Sequence, residues 1–134
     1  MAQQEISIQS DLSVFIQQKE ATPFLWGFND CCLFAADWVA LRTGVDVIAD
    51  LRGIHDAKTA LRKLEYLGGL EAAVTARLGL PIAAKLSSPG AVVLLESPQG
   101  QILGVNFGDR VGVVGDFGLM YVSIELGVVA WPVS

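Results

Sequence analysis

Two adjacent cysteines, Cys31 and Cys32, are the residues of this sequence best suited to chemistry, and the chain has no others. Asp30, directly before them, is a favourable N-cap, so both are expected in the first turn of a helix. Backbone N–H groups at a helix start stabilise a thiolate and lower its pKa. The position therefore favours Cys31 over Cys32 as a nucleophile.

The same two residues also suit a purely structural role. Free cysteine is among the most buried residue types, and the predicted helix is apolar on nearly every face. Neighbouring Cα atoms are about 3.8 Å apart, which is closer than disulfide geometry favours, so the two are not expected to bridge each other. A chain with one histidine and one cysteine pair lacks the four ligands of a zinc site. We predict neither a metal nor another cofactor.

The helix that follows is predicted over residues 31–43, with Gly44 ending it, and its apolar character places it at the centre of the molecule. Asp37 is one of its two polar residues and is expected to be at least partly buried. A buried charge is costly unless it is paired, so we expect a structural ion pair with Arg52 or Arg42. A catalytic role for Asp37 is the less favoured interpretation.

The composition predicts one domain spanning residues 1–134, with 52% hydrophobic and 17% charged residues. The net charge is −5, and Lys and Arg form no stripe that could neutralise successive phosphates, which argues against nucleic acid as a partner. No apolar run approaches the ~18 residues of a membrane span. The high apolar content favours burial of surface against a protein partner.

Helix signals occupy residues 1–85 and strand signals residues 86–134, with the change near "LSSPGAVVLLE". Besides the central helix, we predict a first helix capped by Ser10 or Asp11, a third from Asp56 to about Leu67, and a short fourth within "GGLEAAVTARLG". Five short strands are predicted at 91–96, 102–107, 110–114, 119–125 and 128–133. The expected fold class is α+β, with N-terminal helices packed on an antiparallel meander that curves into a half barrel.

The stretch "PFLWGFNDCCLFAADW" resembles the nucleophile region of the NlpC-type cell-wall peptidases, which are papain-like cysteine hydrolases. The resemblance extends through "AADWVALRTG", an "LRG" segment and the strand start "GAVV". More closely, it is similar to a branch of small proteins encoded in phage and prophage tail modules. By this resemblance, Cys31 occupies the nucleophile position, and Trp26, Asp30 and Ile102 line the cleft.

The resemblance also implies that the catalytic base is missing. In the family, a histidine opens the next strand in a pattern like His-Val-Gly-Ile-Tyr-Leu-Gly, and the matching stretch here is "ILGVNFG", with Ile102 at the histidine position. An aliphatic side chain can neither accept the thiol proton nor protonate a leaving amine. The only histidine, His55, is expected in a loop before a charged helix.

The sequence is compatible with three functions. The favoured one is a catalytically inactive structural component of a phage tail tip or baseplate, assembled in the bacterial cytoplasm, carried in the virion and contacting other tail proteins in a symmetric assembly. The second is an active amidase or endopeptidase that opens peptidoglycan during infection, with Cys31 attacking a peptide bond. The third is a binding module that holds a cell-wall peptide in the vestigial cleft.

Overall fold

The computed structural model of the chain describes residues 2–24, 30–49, 56–98 and 100–133. Within these ranges there are four α-helices followed by a six-stranded antiparallel sheet, which confirms the predicted α+β class. The elements are α1 (Ala2–Lys19), α2 (Cys31–Thr43), α3 (Ala57–Tyr66), α4 (Leu70–Leu78), β1 (Ile82–Ala83), β2 (Val92–Ser97), β3 (Gly100–Asn106), β4 (Val111–Gly115), β5 (Gly118–Val122) and β6 (Gly127–Trp131).

Helix α2 forms the centre of the molecule, and its bounds are those predicted from the sequence. Gly44 adopts a left-handed conformation (φ 78°) and donates its N–H to the carbonyl of Ala40, which ends the helix. Phe34 and Trp38 are fully buried, and the Trp38 indole donates a hydrogen bond of 2.6 Å to the carbonyl of Gly90. This bond ties α2 to the loop that enters the sheet.

Helix α1 begins at Ala2, well before the predicted caps Ser10 and Asp11. The prediction of its start was wrong, since Ser10 and Asp11 lie within the helix. The Asp11 carboxylate caps no helix start and accepts a hydrogen bond of 2.8 Å from the Arg42 guanidinium on α2. Phe15 of α1 packs at 4.9 Å from the ring of Phe34, so α1 lies against α2.

The sheet has the strand order β1-β6-β2-β3-β4-β5. Strands β2 to β5 form the predicted meander, but β6 returns to pair with the free edge of β2. The two-residue strand β1, which the sequence did not predict, pairs with the outer edge of β6. Six strands therefore replace the five expected.

The sheet is strongly curled, as the connection from β5 to β6 requires. These strands are four positions apart in the order, about 19 Å in a flat sheet at the usual strand spacing. The chain from Val122 to Gly127 spans at most roughly 18 Å when fully extended, and it contains a turn of 3-10 helix over Ile124–Leu126. The sheet must bend towards a half barrel for the connection to close.

The sheet separates two main cores, and a third, smaller cluster consists of Leu33, Ala36 and Ile48. The convex face carries α2, and the buried residues there include Phe15, Phe34, Trp38, Val92, Leu94, Leu103, Val105 and Trp131. The concave face is filled by smaller side chains, namely Ala84, Ala91, Val93, Leu95, Val111, Val113 and Ala130. A Cβ on Gly104 would overlap the carbonyl oxygen of Gly112, so glycine is needed where the curled strands approach most closely.

Candidate functional site

Asp30 fixes where α2 begins. Its side chain accepts a hydrogen bond of 2.9 Å from the backbone N–H of Leu33, and the residue is only 8% exposed. The predicted role of Asp30 as the N-cap is confirmed. Cys31 is consequently the first residue of the helix, beside N–H groups that have no partner within the helix.

The Cys31 sulfur lies between its neighbour in sequence and strand β3. A hydrogen bond from the Cys32 thiol is the main reason that the pKa of Cys31 is lowered, and the backbone of Leu103 contributes in the same direction. Burial and the negative charge of Asp30 act against this shift. The arrangement therefore favours a thiolate at Cys31 over one at Cys32.

Cys32 behaves as a core residue. The hydrogen bond that it gives to Cys31 and its burial both raise its pKa, so its thiol keeps the proton. Its side chain packs against the convex-face core and lines an apolar cavity of about 40 Å³ between α2 and α4. Of the two cysteines, only Cys31 has surroundings that suit a nucleophile.

Ile102 does not face Cys31. It pairs with Leu95 in the sheet, and both side chains belong to the concave core on the far side from α2. Side chains alternate along a strand, so Gln101, Leu103 and Val105 lie on the other face of β3, where Cys31 packs against the cluster that contains Leu103 and Val105. The expectation that Ile102 lines the cleft is therefore not met, and the buried β3 positions on the cysteine side are apolar.

Three residues considered in the sequence analysis fall outside the described residues. They are Trp26, expected in the cleft, Arg52, expected as a partner of Asp37, and His55, the only histidine. In the described ranges, no three His, Cys, Asp or Glu side chains are grouped so that they could hold a metal ion. A base for the thiol, if the chain supplies one as histidine, must come from residue 55.

Asp37 is paired with a residue that the sequence analysis did not name, and its predicted partner Arg52 lies outside the described residues. Lys19 of α1 donates a hydrogen bond of 2.6 Å to its carboxylate, and the two side chains are 12% and 33% exposed, respectively. Within the described part of the chain, Arg42 pairs with Asp11 rather than with Asp37. Both ion pairs connect α1 to α2, which supports a structural role for Asp37.

Two contributors to the site were missed in the sequence analysis. The backbone of Leu103 bonds the Cys31 sulfur, and Lys19 pairs with Asp37. Neither contact leaves a signal in residue spacing, since the first uses a backbone group and the second joins residues 18 positions apart. Both depend on how the elements pack.

The chain belongs to the family of a domain of unknown function, DUF6950, whose model matches residues 5–133. No curated protein and no solved structure is significantly similar to it. Among the described residues, no helix has both the length and the apolar character to cross a membrane.

Proposed function

We propose that this DUF6950 member is a structural component of a phage or phage-like tail tip or baseplate, built on a degenerate NlpC-like peptidase domain. It works by contacting neighbouring tail proteins and not by cleaving the cell wall. The assignment to phage tails rests on the resemblance of "PFLWGFNDCCLFAADW" to the tail-module branch of that family.

The observation that carries the loss of catalysis is the set of groups around Cys31. A cysteine hydrolase needs a base within hydrogen-bond reach of the sulfur and an acid for the leaving amine. The described groups that act on the Cys31 thiol are the Cys32 thiol, the backbone of Leu103 and the Asp30 carboxylate. The Asp30 carboxylate already accepts the hydrogen bond that caps α2. We therefore assign it a structural role as the helix cap and not the transfer of protons to and from the thiol.

The surface supports a role in assembly. Four large apolar side chains are more than three-quarters exposed: Phe117 (95%), Leu80 (86%), Tyr66 (84%) and Leu86 (77%). Tyrosine and phenylalanine are enriched at protein–protein interfaces, so Tyr66 and Phe117 are the exposed residues best suited to contact a partner. None of the four residues belongs to α2, the helix that carries Cys31.

The direct test is the composition of purified particles of the phage or prophage that encodes the chain. We expect mass spectrometry to detect the chain in a fixed ratio to other tail proteins, and deletion of its gene to yield tails without a complete tip. A chain absent from particles, whose loss leaves tails intact, would contradict the proposal.

A second candidate function, a peptidoglycan-cleaving cysteine hydrolase, is favoured by the lowered pKa of Cys31 at a helix start. In that case the thiolate attacks a peptide carbonyl, and His55 is the one histidine able to protonate the leaving amine. Release of muropeptides from purified cell walls, abolished in both Cys31→Ala and His55→Ala, would establish it. Muropeptide binding without release would instead indicate a wall-binding module.

A further inference from the structure

The outer face of α3 concentrates positive charge on a protein whose net charge is −5. We call Lys58, Arg62 and Lys63 the basic face. They are three of the nine Lys and Arg residues, and they outnumber Glu65, the one acidic residue within α3. None of them forms an ion pair in the described part of the chain. By contrast, Lys19 and Arg42 are bound to carboxylates within the fold.

An aromatic side chain completes the basic face. Tyr66 is 84% exposed at the end of α3, and the Lys63 ammonium lies 5.7 Å from the centre of its ring. Thr59, Arg62, Lys63 and Tyr66 together line a shallow depression of about 310 Å³. Tyrosine and arginine are among the residue types enriched at binding hot spots, so this depression has the chemistry of a docking site for an acidic, aromatic partner surface.

A surface of that complementary chemistry exists elsewhere on the same chain. The turn between β4 and β5 presents Asp116 and Phe117, and Phe117 is 95% exposed. Glu20, at the end of α1, is held beside this turn because its carbonyl accepts a hydrogen bond of 3.2 Å from the N–H of Leu119. Met120, which is 54% exposed, extends the apolar part. We call Glu20, Asp116, Phe117 and Met120 the acidic tip.

The basic face and the acidic tip lie on separate elements of the fold. Helix α4, next to α3 in the chain and in contact with it, is bonded to β6 through Trp131 and Thr75. The acidic tip lies at the turn before β5, a strand that does not pair with β6. Two complementary patches that share no residue allow contacts between copies that run head to tail.

We propose that the acidic tip of one copy docks on the basic face of the next copy of this chain, with Phe117 packing on Tyr66. Repetition of this contact gives a ring if the rotation closes and a filament if it does not. The inference supplies a partner for the assembly role proposed above and rests on it only for its biological setting. Its test uses the isolated chain, so it can fail or succeed independently of whether the chain is found in particles.

The experiment is sedimentation velocity of the full chain over a range of concentration and salt. We expect concentration-dependent species larger than a dimer at low salt and their loss at high salt, because screening weakens contacts between exposed charges. Arg62→Glu and Asp116→Lys are each expected to raise the dissociation constant about tenfold or more, since each places like charges in contact. Lys85→Glu and Glu125→Lys, which make the same charge changes outside both patches, are matched controls.

A mixture of the two patch variants provides the decisive readout. Arg62→Glu presents an unaltered acidic tip, and Asp116→Lys presents an unaltered basic face, so equimolar mixing is expected to restore association that neither shows alone. A wild-type chain that stays monomeric at low salt, patch variants that associate as tightly as the controls, or a mixture that stays dissociated would each overturn the proposal. Binding of poly-glutamate by a chain that remains monomeric would likewise overturn it, by assigning the basic face to another acidic partner.

Discussion

At the scale of single residues, the two cysteines have opposite roles that the sequence predicts in part. The cap at Asp30 and the position of Cys31 as first helical residue follow from local preferences, and both are found. Ile102 aligns with the histidine of the resembled family, but its side chain does not face Cys31. Adjacent residues of a strand face opposite sides of the sheet, and Ile102 faces the side away from α2. Only the three-dimensional register shows that Leu103 lies at the cysteine side.

The lowered pKa of Cys31 predicts its alkylation below the pH at which an ordinary thiol reacts. The folded chain holds the thiolate form to lower pH because the Cys32 thiol donates a hydrogen bond to it. Mass spectrometry of iodoacetamide-treated protein across pH should show Cys31 reacting first and Cys32 remaining protected. Removal of the donor in Cys32→Ala is expected to move the midpoint for Cys31 to higher pH, and a midpoint that does not move would refute this explanation.

The ion pair between Lys19 and Asp37 is expected to stabilise the contact of α1 with α2. Its side chains are only 12% and 33% exposed, between the surface and buried cases, so a coupling free energy of about 1 kcal/mol is expected. A double-mutant cycle with Lys19→Met and Asp37→Asn, followed by urea unfolding, isolates this pair from other contacts of Asp37. A coupling free energy of zero would show that the ion pair between Lys19 and Asp37 makes no net contribution to the stability of the fold.

At the scale of elements, the helices with local sequence signals were predicted, and an element that depends on tertiary packing was not. Helix α2 and the Asp56 cap of α3 follow from residues adjacent in the sequence, and both are found as predicted. The strand β1 was missed because it depends on a distant partner, with Ile82 paired to Ala130. The start of α1 was predicted wrongly because Asp11 has the residue type of an N-cap but lies within the helix and binds Arg42. Elements that owe their bounds to tertiary contacts leave little trace in a local pattern.

Gly118 is predicted to be essential for the contact between β5 and the residue that follows α1, Glu20. Its φ is +135°, and a Cβ there would overlap the Glu20 carbonyl oxygen, so Gly118→Ala adds a backbone clash to conformational strain. Gly100 has a similar φ of +110° with nothing within 4 Å of a Cβ, and is the matched control. We expect Gly100→Ala to lower the free energy of unfolding by about 1–3 kcal/mol and Gly118→Ala by more.

Urea unfolding of the two variants measures this difference. Equal losses of stability would show that strain at positive φ accounts for both and that the contact between Glu20 and β5 is dispensable. A larger loss in Gly118→Ala would also bear on assembly, because the same contact holds Glu20 beside Asp116 in the acidic tip.

At the scale of the whole molecule, the predicted half barrel is a consequence of connectivity. The return of β6 to β2 through a short connection forces the sheet to curl, and the glycine-rich strands allow it. The sequence indicated curvature through its glycines but not the order of the strands, because pairing between distant segments has no local signature. The curl separates a small-residue concave core from the convex face where α2 presents Cys31.

For the whole domain we therefore propose a degenerate NlpC-like fold, in which the cysteine at the proposed nucleophile position has no base among the described residues and the outer surface contacts partner proteins. The most direct test is genetic complementation of a phage deleted for this chain, with infectivity of the resulting particles as the measurement. The account predicts that Cys31→Ala restores complete particles and infectivity as well as the wild-type chain does. Complete particles that carry Cys31→Ala but fail to infect would contradict it and would establish a catalytic role for the thiol.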